Sequence, residues 1–241
     1  MFHRITKGLG ALTIGAAMLT AAAAQAADGP YVVSGNEHIL VGITLDEAKV
    51  RAVLPEGMEP TEGITGGLNI YTSNGGEGVA AYQRSYVWVD LANFDSITGN
   101  GGRYILWLSD SAHSAKMARA GYDTEVGAST LTKDGHRVIG TTALGGEQVM
   151  KITIELSDAG CGDAVGTQNY PSLPQGAEGL VVTQYSFAGK ICGASPVSVD
   201  ITAPADHPLS VYKPVSVVWA AFAKDLSFSG SPLMPVKMAG N

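Results

Sequence analysis

The sequence predicts a mainly β, α+β protein, with chiefly antiparallel strands and two helices. Three observations carry this. Apolar and β-branched residues alternate in short segments along most of the chain; glycine, proline, asparagine and aspartate clusters separate those segments; and only two stretches carry helix start and stop signals.

The first 26 residues stand apart from this pattern. Arg4 and Lys7, the uncharged run Leu9–Ala24 and the small-residue sequence Ala24-Gln25-Ala26 read as a signal peptide. Residues 27–241 are then expected to form a single domain, periplasmic or secreted. Losing Arg4 and Lys7 lowers the 15 basic residues to 13 against 22 acidic ones, a formal charge of −9. No run of lysine or arginine follows residue 7, which argues against a nucleic-acid partner. No later apolar stretch is long enough to cross a bilayer as a helix.

Along the chain, "TLDEAKVRAVLPEG" offers a capping box from Thr44 to Glu47 and a Pro55/Gly57 stop. "GLNIYTS", "AYQRSYVWVDL" and "GRYILWLS" alternate as strands. "SDSAHSAKMARAG" is the second helix, with Ser109 or Asp110 as N-cap and Gly121 as terminator. "ASTLT" and "HRVIGTTAL" flank Asp134-Gly135, the signal of a tight hairpin, and "EQVMKITIELS" follows the Gly145-Gly146 turn. Asp158–Gly179 has no period of either kind and reads as a long loop, followed by the strands "GLVVTQYSF", "PVSVDIT" and "PVSVVWAAFA". The only cysteines, Cys161 and Cys192, are an even pair. In an exported protein they read as a disulfide stapling that loop, the alternative being two buried thiols.

In "AYQRSYVWVD" alternation puts Tyr82, Arg84, Tyr86, Trp88 and Asp90 on one face. An arginine among aromatic rings can hold a carboxylate by paired hydrogen bonds while the rings cover its apolar part. Tyr82, Arg84, Tyr86 and Trp88 are therefore the candidate ligand-binding residues. The bland reading of the same pattern is a surface strand whose aromatics shield an ion pair. Asp123 and Glu125 lie two apart and would share a face of an extended segment, as candidates for acid and base work or as solvated carboxylates. His113 and His136 have no companion at metal-ligand spacing, no serine sits in a nucleophile elbow, and no glycine-rich phosphate loop precedes a helix, so neither a metal nor a cofactor is expected.

The order of features from Val41 to Pro235 resembles the acetoacetate decarboxylase-like family: "VLPEGMEP", "GEGVAAYQRSYVWVDL", "GRYILWLSD", "AGYDTEVGASTL" and "PVSVVWAAFAKDLSFSGSPLMP". The resemblance implies a closed β-barrel or cone, flanked by the helices, around an apolar cavity. In the family a lysine beside a second lysine forms a Schiff base with a β-keto acid. Laying that pattern on "AGYDTEVGASTL" places Ser129, Thr130 or Leu131 where the lysines stand. Near Tyr82, where the family has a glutamate, this chain reads Gln83-Arg84-Ser85. The nearest lysines, Lys133 in the hairpin turn and Lys151 on an alternating strand, read as exposed.

The expectation is an exported protein that binds a small, largely apolar carboxylate or carbonyl compound without Schiff-base chemistry; an oligomer is compatible with it. The alternative is a lyase or hydrolase of altered chemistry in which Glu125 or Asp123 moves protons and Arg84 orients the substrate.

Overall fold

The computed structural model describes residues 31–76, 79–94, 98–111, 121–174, 178–236 and 238. The expected signal peptide lies outside them, as does the centre of the expected second helix. Ten strands run in chain order: β1 (Tyr31–Thr44), β2 (Thr65–Ser73), β3 (Tyr82–Leu91), β4 (Gly102–Asp110), β5 (Glu125–Asp134), β6 (Arg137–Leu144), β7 (Glu147–Ser172), β8 (Val181–Ile201), β9 (Ser216–Gly230) and β10 (Met234–Pro235). Their order in the sheet is β10-β8-β7-β6-β5-β4-β3-β2-β1-β9, and β8 also pairs with β9, so β1 to β9 form a hydrogen-bonded ring.

Several expectations are corrected. Of the two helices expected to flank the sheet, the first is present as α1 (Glu47–Arg51), and the second lies for the most part outside the described residues. The cap of α1 is Asp46, whose Oδ1 accepts from the Lys49 N–H at 3.1 Å. Thr44 instead stays in β1, its Oγ1 2.7 Å from Ser216 Oγ, because pairing to β9 holds it extended. Ser109 and Asp110, the expected caps of the second helix, are the last residues of β4. The ring is not wholly antiparallel, since β5 runs parallel to β4 where Ser109 pairs with Glu125.

The expected loop at Asp158–Gly179 is largely strand. β7 continues to Ser172 against β8, with a register shift between Leu156 and Cys161. Mostly small and polar residues, exposed or half-buried as far as Gln168, gave this half of β7 no apolar period; backbone pairing forms it regardless. Cys161 and Cys192 are joined by a disulfide between directly paired positions, 4.0 Å apart at Cα, so the bond ties strand to strand.

Strands β1 to β3 bury both faces. Ile39, Val41 and Ile43 with Leu68, Ile70, Val87 and Val89 enter one apolar cluster. Tyr71, Tyr82, Tyr86 and Trp88 enter a second with Ile105, Leu108, Tyr170 and Phe228. Alternation thus separates a dry aliphatic side from an aromatic side, and the functional geometry lies on the aromatic one.

Candidate functional site: an aromatic cavity with two paired guanidiniums

Cross-strand register builds the aromatic side in rows. In the first, His38 of β1 faces Tyr71 of β2, which faces Arg84 of β3, which faces Asp110 of β4. In the second, Leu40, Asn69, Tyr86 and Leu108 stand in line. In the third, Trp219, Gly42, Gly67, Trp88 and Ile105 do so. The two glycines are spatial requirements. A Cβ on Gly42 would come within 2.0 Å of Trp219 Nε1, and one on Gly67 within 2.2 Å of the Trp88 ring.

These rows wall a cavity of about 370 Å³, closed on the other side by β7, β8 and β9 through Tyr170, Tyr185, Phe187, Ala223 and Phe228. The wall is aromatic, with ring pairs at edge-to-face angles: Tyr71 to Tyr86 at 6.4 Å, Tyr86 to Tyr170 at 6.2 Å and Tyr185 to Phe228 at 5.8 Å. Burial pushes the Tyr71, Tyr86, Tyr122 and Tyr185 hydroxyls above their ordinary range, so these phenols stay neutral.

Two guanidiniums line the wall. Arg84 donates from Nε at 3.0 Å and Nη2 at 2.6 Å to Oδ2 of Asp110, and its Cζ lies 4.9 Å from the Tyr82 ring centre and 5.8 Å from that of Tyr71. Burial works against the Arg84 charge, but Tyr71 and Asp110 among its neighbours more than offset this and hold it charged. Arg103 donates from Nε to Asp90 Oδ1 at 3.2 Å and stacks over Trp88 at 4.7 Å. Neither partner carboxylate belongs to the wall. The positive ends of both pairs therefore face the cavity with the acids behind them.

Of the residues singled out in the sequence, Arg84 and Tyr86 line the cavity. Tyr82 and Trp88 stand behind it, Tyr82 on the Arg84 guanidinium and Trp88 on that of Arg103. Glu125 is not brought to Arg84: its carboxylate accepts from Trp107 Nε1 at 2.7 Å and lies 2.9 Å from His207 Nε2. The Leu209 N–H donates to His207 Nδ1, so Nε2 carries the proton toward Glu125 and the ring is fully used. Asp123 is exposed. Ser129 and Thr130 bond across the β5–β6 hairpin to Thr142 and Thr141, at 3.2 and 2.8 Å. Of the described part of Ala118–Gly140, Tyr122 alone reaches the cavity wall. Lys133 pairs with Glu37 and is exposed, and no lysine lines the cavity among the described residues. Among those residues, no three metal-binding side chains cluster either.

Sequence reasoning missed His38, Asn69, Tyr71, Arg103, Tyr170 and Tyr185 as wall residues. For Asn69 and Tyr71 a signal was present, since alternation in "GLNIYTS" sets both on the face opposite Leu68 and Ile70. For Tyr170 there was none, because the strand that carries it had no period.

No family model and no curated protein matches the chain. Its fold does match solved structures. An acetoacetate decarboxylase from Legionella pneumophila is 16% identical with a TM-score of 0.66, covering 87% of this chain and 88% of that one. An acetoacetate decarboxylase-like enzyme from Sphingomonas wittichii is 17% identical with a TM-score of 0.62, over 86% and 92%. The enduracididine biosynthesis enzyme MppR, solved with pyruvate, is 12% identical with a TM-score of 0.62, over 87% and 90%.

Proposed function

We propose that this chain, which has the acetoacetate decarboxylase-like fold, is an exported protein that binds a small, largely apolar carboxylate or carbonyl compound reversibly inside its ring of strands, which we read as a closed barrel. The observation that carries the reading is the composition of the cavity wall: aromatic rings, two guanidiniums whose carboxylates lie behind them, and no lysine among the described lining residues. MppR, of the same fold, has been solved with pyruvate, a small compound that is both carboxylate and ketone.

The physical steps are these. The rings desolvate the apolar part of a ligand at little entropic cost, because their edge-to-face contacts already hold them in place. Arg84 uses Nε and one Nη2 hydrogen on Asp110, and its other N–H groups suit a carboxylate or carbonyl oxygen. Because each guanidinium already has its counter-ion, the empty cavity holds no unpaired charge; ligand oxygens gain oriented donors without first displacing an acid. A decarboxylation needs an electron sink such as an iminium, which a neutral phenol or a paired guanidinium does not form.

Export is supported by the signal-like first 26 residues and the disulfide; among the described residues no helix is long and apolar enough to cross a membrane.

Calorimetric titration with three compounds of one shape tests the reading: 3-phenylpropanoate, 4-phenylbutan-2-one and 3-phenylpropylamine. The acid and the ketone should bind, with the cationic amine at least about ten-fold weaker because it meets two guanidiniums. Ala223→Phe, which fills the cavity, should weaken the acid by a similar factor. Equal binding of acid and amine, or an unaffected Ala223→Phe protein, would overturn the reading.

A further inference from the structure

Arg84 and Arg103 are separated along the cavity wall by a chain of rings. The Arg84 Cζ lies 5.8 Å from the Tyr71 ring, Tyr71 lies 6.4 Å from Tyr86, Tyr86 lies 5.7 Å from Trp88, and Trp88 lies 4.7 Å from the Arg103 Cζ. The Arg84 guanidinium is held at its own row by Asp110, directly across on β4, while that of Arg103 lies over Trp88 in the third row. The stretch of β3 from Arg84 to Trp88 spans roughly 13 Å at a strand rise of about 3.3 Å per residue, too far for one carboxylate to reach both guanidiniums. Neither head group is sealed off. The Arg84 and Arg103 side chains keep 11% and 23% of their surface accessible, and both line the cavity. Asp110 takes Nε and Nη2 of Arg84 and Asp90 takes Nε of Arg103, which leaves N–H groups on each to offer a ligand. Burial works against the Arg103 charge, but the neighbouring Tyr170 and Asp90 more than offset it. Apart from these two, no lysine, arginine or carboxylate lines the cavity among the described residues.

We propose that the two guanidiniums hold the two ends of one ligand, a straight-chain dicarboxylic acid of about five to seven carbons. A carboxylate carbon bonded through paired N–H groups stands about 4 Å from Cζ, so the span leaves about 5 Å between the two carboxyl carbons. That is the reach of a diacid of about five or six carbons, and one more carbon lets the chain bow over Tyr86. The methylene groups lie between Tyr71 and Tyr86 on one side and Ala223, Leu226 and Phe228 on the other. A monoacid satisfies one end only. Its methyl terminus meets the other guanidinium, whose N–H groups lose water without gaining an acceptor, and a second carboxylate supplies that acceptor.

The inference deepens the binding function above and rests on it, and the experiment separates the two. The protein is titrated calorimetrically with hexanoate and with the unbranched diacids from butanedioate to decanedioate. Hexanedioate should bind about ten-fold more tightly than hexanoate, and affinity should peak between pentanedioate and heptanedioate. In Arg103→Leu the ratio of hexanedioate to hexanoate affinity should fall to about two-fold or less. The variant leaves Asp90 its bonds from Thr65 Oγ1 and Trp88 Nε1, both at 3.1 Å. Hexanoate binding with no gain from the second carboxylate, a gain greatest at butanedioate or decanedioate, or a ratio that Arg103→Leu keeps overturns the two-ended ligand while leaving the acid site standing. If neither hexanoate nor any diacid binds, both readings fall. The length series on the wild type decides the matter even if the variant does not fold.

Discussion

Arg84 is committed to two tasks that the sequence presented as one. Its partner Asp110 is 2% exposed, so removing the guanidinium takes the opposite charge away from a buried carboxylate. Arg84→Leu should therefore cost about 3 to 5 kcal/mol in chemical unfolding, and Arg84→Leu with Asp110→Leu should recover much of it. Arg84→Lys keeps the charge but loses the fork, so it should both melt lower and bind an acid less tightly. The sequence pattern does not reveal the structural task, since the partner across the strand pair is not visible in it. His38 gives a second prediction at this scale. Its folded pKa is about 3 against an ordinary 6.5, and its neighbours Tyr71, Asn69 and Phe228 carry no charge. Below pH 6.5 the unfolded chain takes up a proton that the folded chain refuses. Its contribution is complete above that pH and is lost as pH falls toward 3, at about 1.4 kcal/mol per unit. Between pH 7 and 4.5, unfolding of the wild type should weaken by about 2 to 3 kcal/mol more than that of His38→Phe. Equal pH dependence would show that His38 is charged in the folded protein.

Elements are where sequence and structure diverge most. Strands with a hydrophobic period, β2, β3, β4 and β6, were legible, as was the Asp134-Gly135 hairpin. The second half of β7 was not, because its side chains carry no period and its register comes from β8. Glycine there was read as loop, yet Gly166 is where a Cβ would come within 2.7 Å of Phe187, a wall residue. The same holds for Gly67: Gly67→Ala should cost about 1 to 3 kcal/mol and shift the tryptophan emission as Trp88 is pushed off its neighbours. Unchanged stability and emission would mean that the third row is looser than described. The Cys161–Cys192 bond joins the two longest strands next to Ile191, which lines the cavity. Thiol titration of the denatured, unreduced protein should find no free thiol, and replacing both cysteines by alanine should cost about 2 to 4 kcal/mol.

At the scale of the whole molecule, ring closure depends on β9 pairing with both β1 and β8, contacts between distant parts of the chain that no local pattern encodes. The resemblance in strand order supplied the ring, and comparison with solved structures shows that fold. The candidate site was legible in part. One face of β3 pointed to Arg84 and Tyr86, but which stretch of chain forms the opposite wall follows only from closure, and closure leaves Glu125 and Ser129 to Leu131 off the cavity wall. In the proposed function, the cavity holds a small acid by reversible contacts, with no covalent bond to a lysine. Mass spectrometry of one sample tests it most directly: the protein with saturating acetoacetate, measured under native conditions and again under denaturing conditions after borohydride reduction. Reversible binding gives a one-to-one complex in the first spectrum and the unmodified polypeptide mass in the second. A reduced adduct on any lysine in the second spectrum would contradict it.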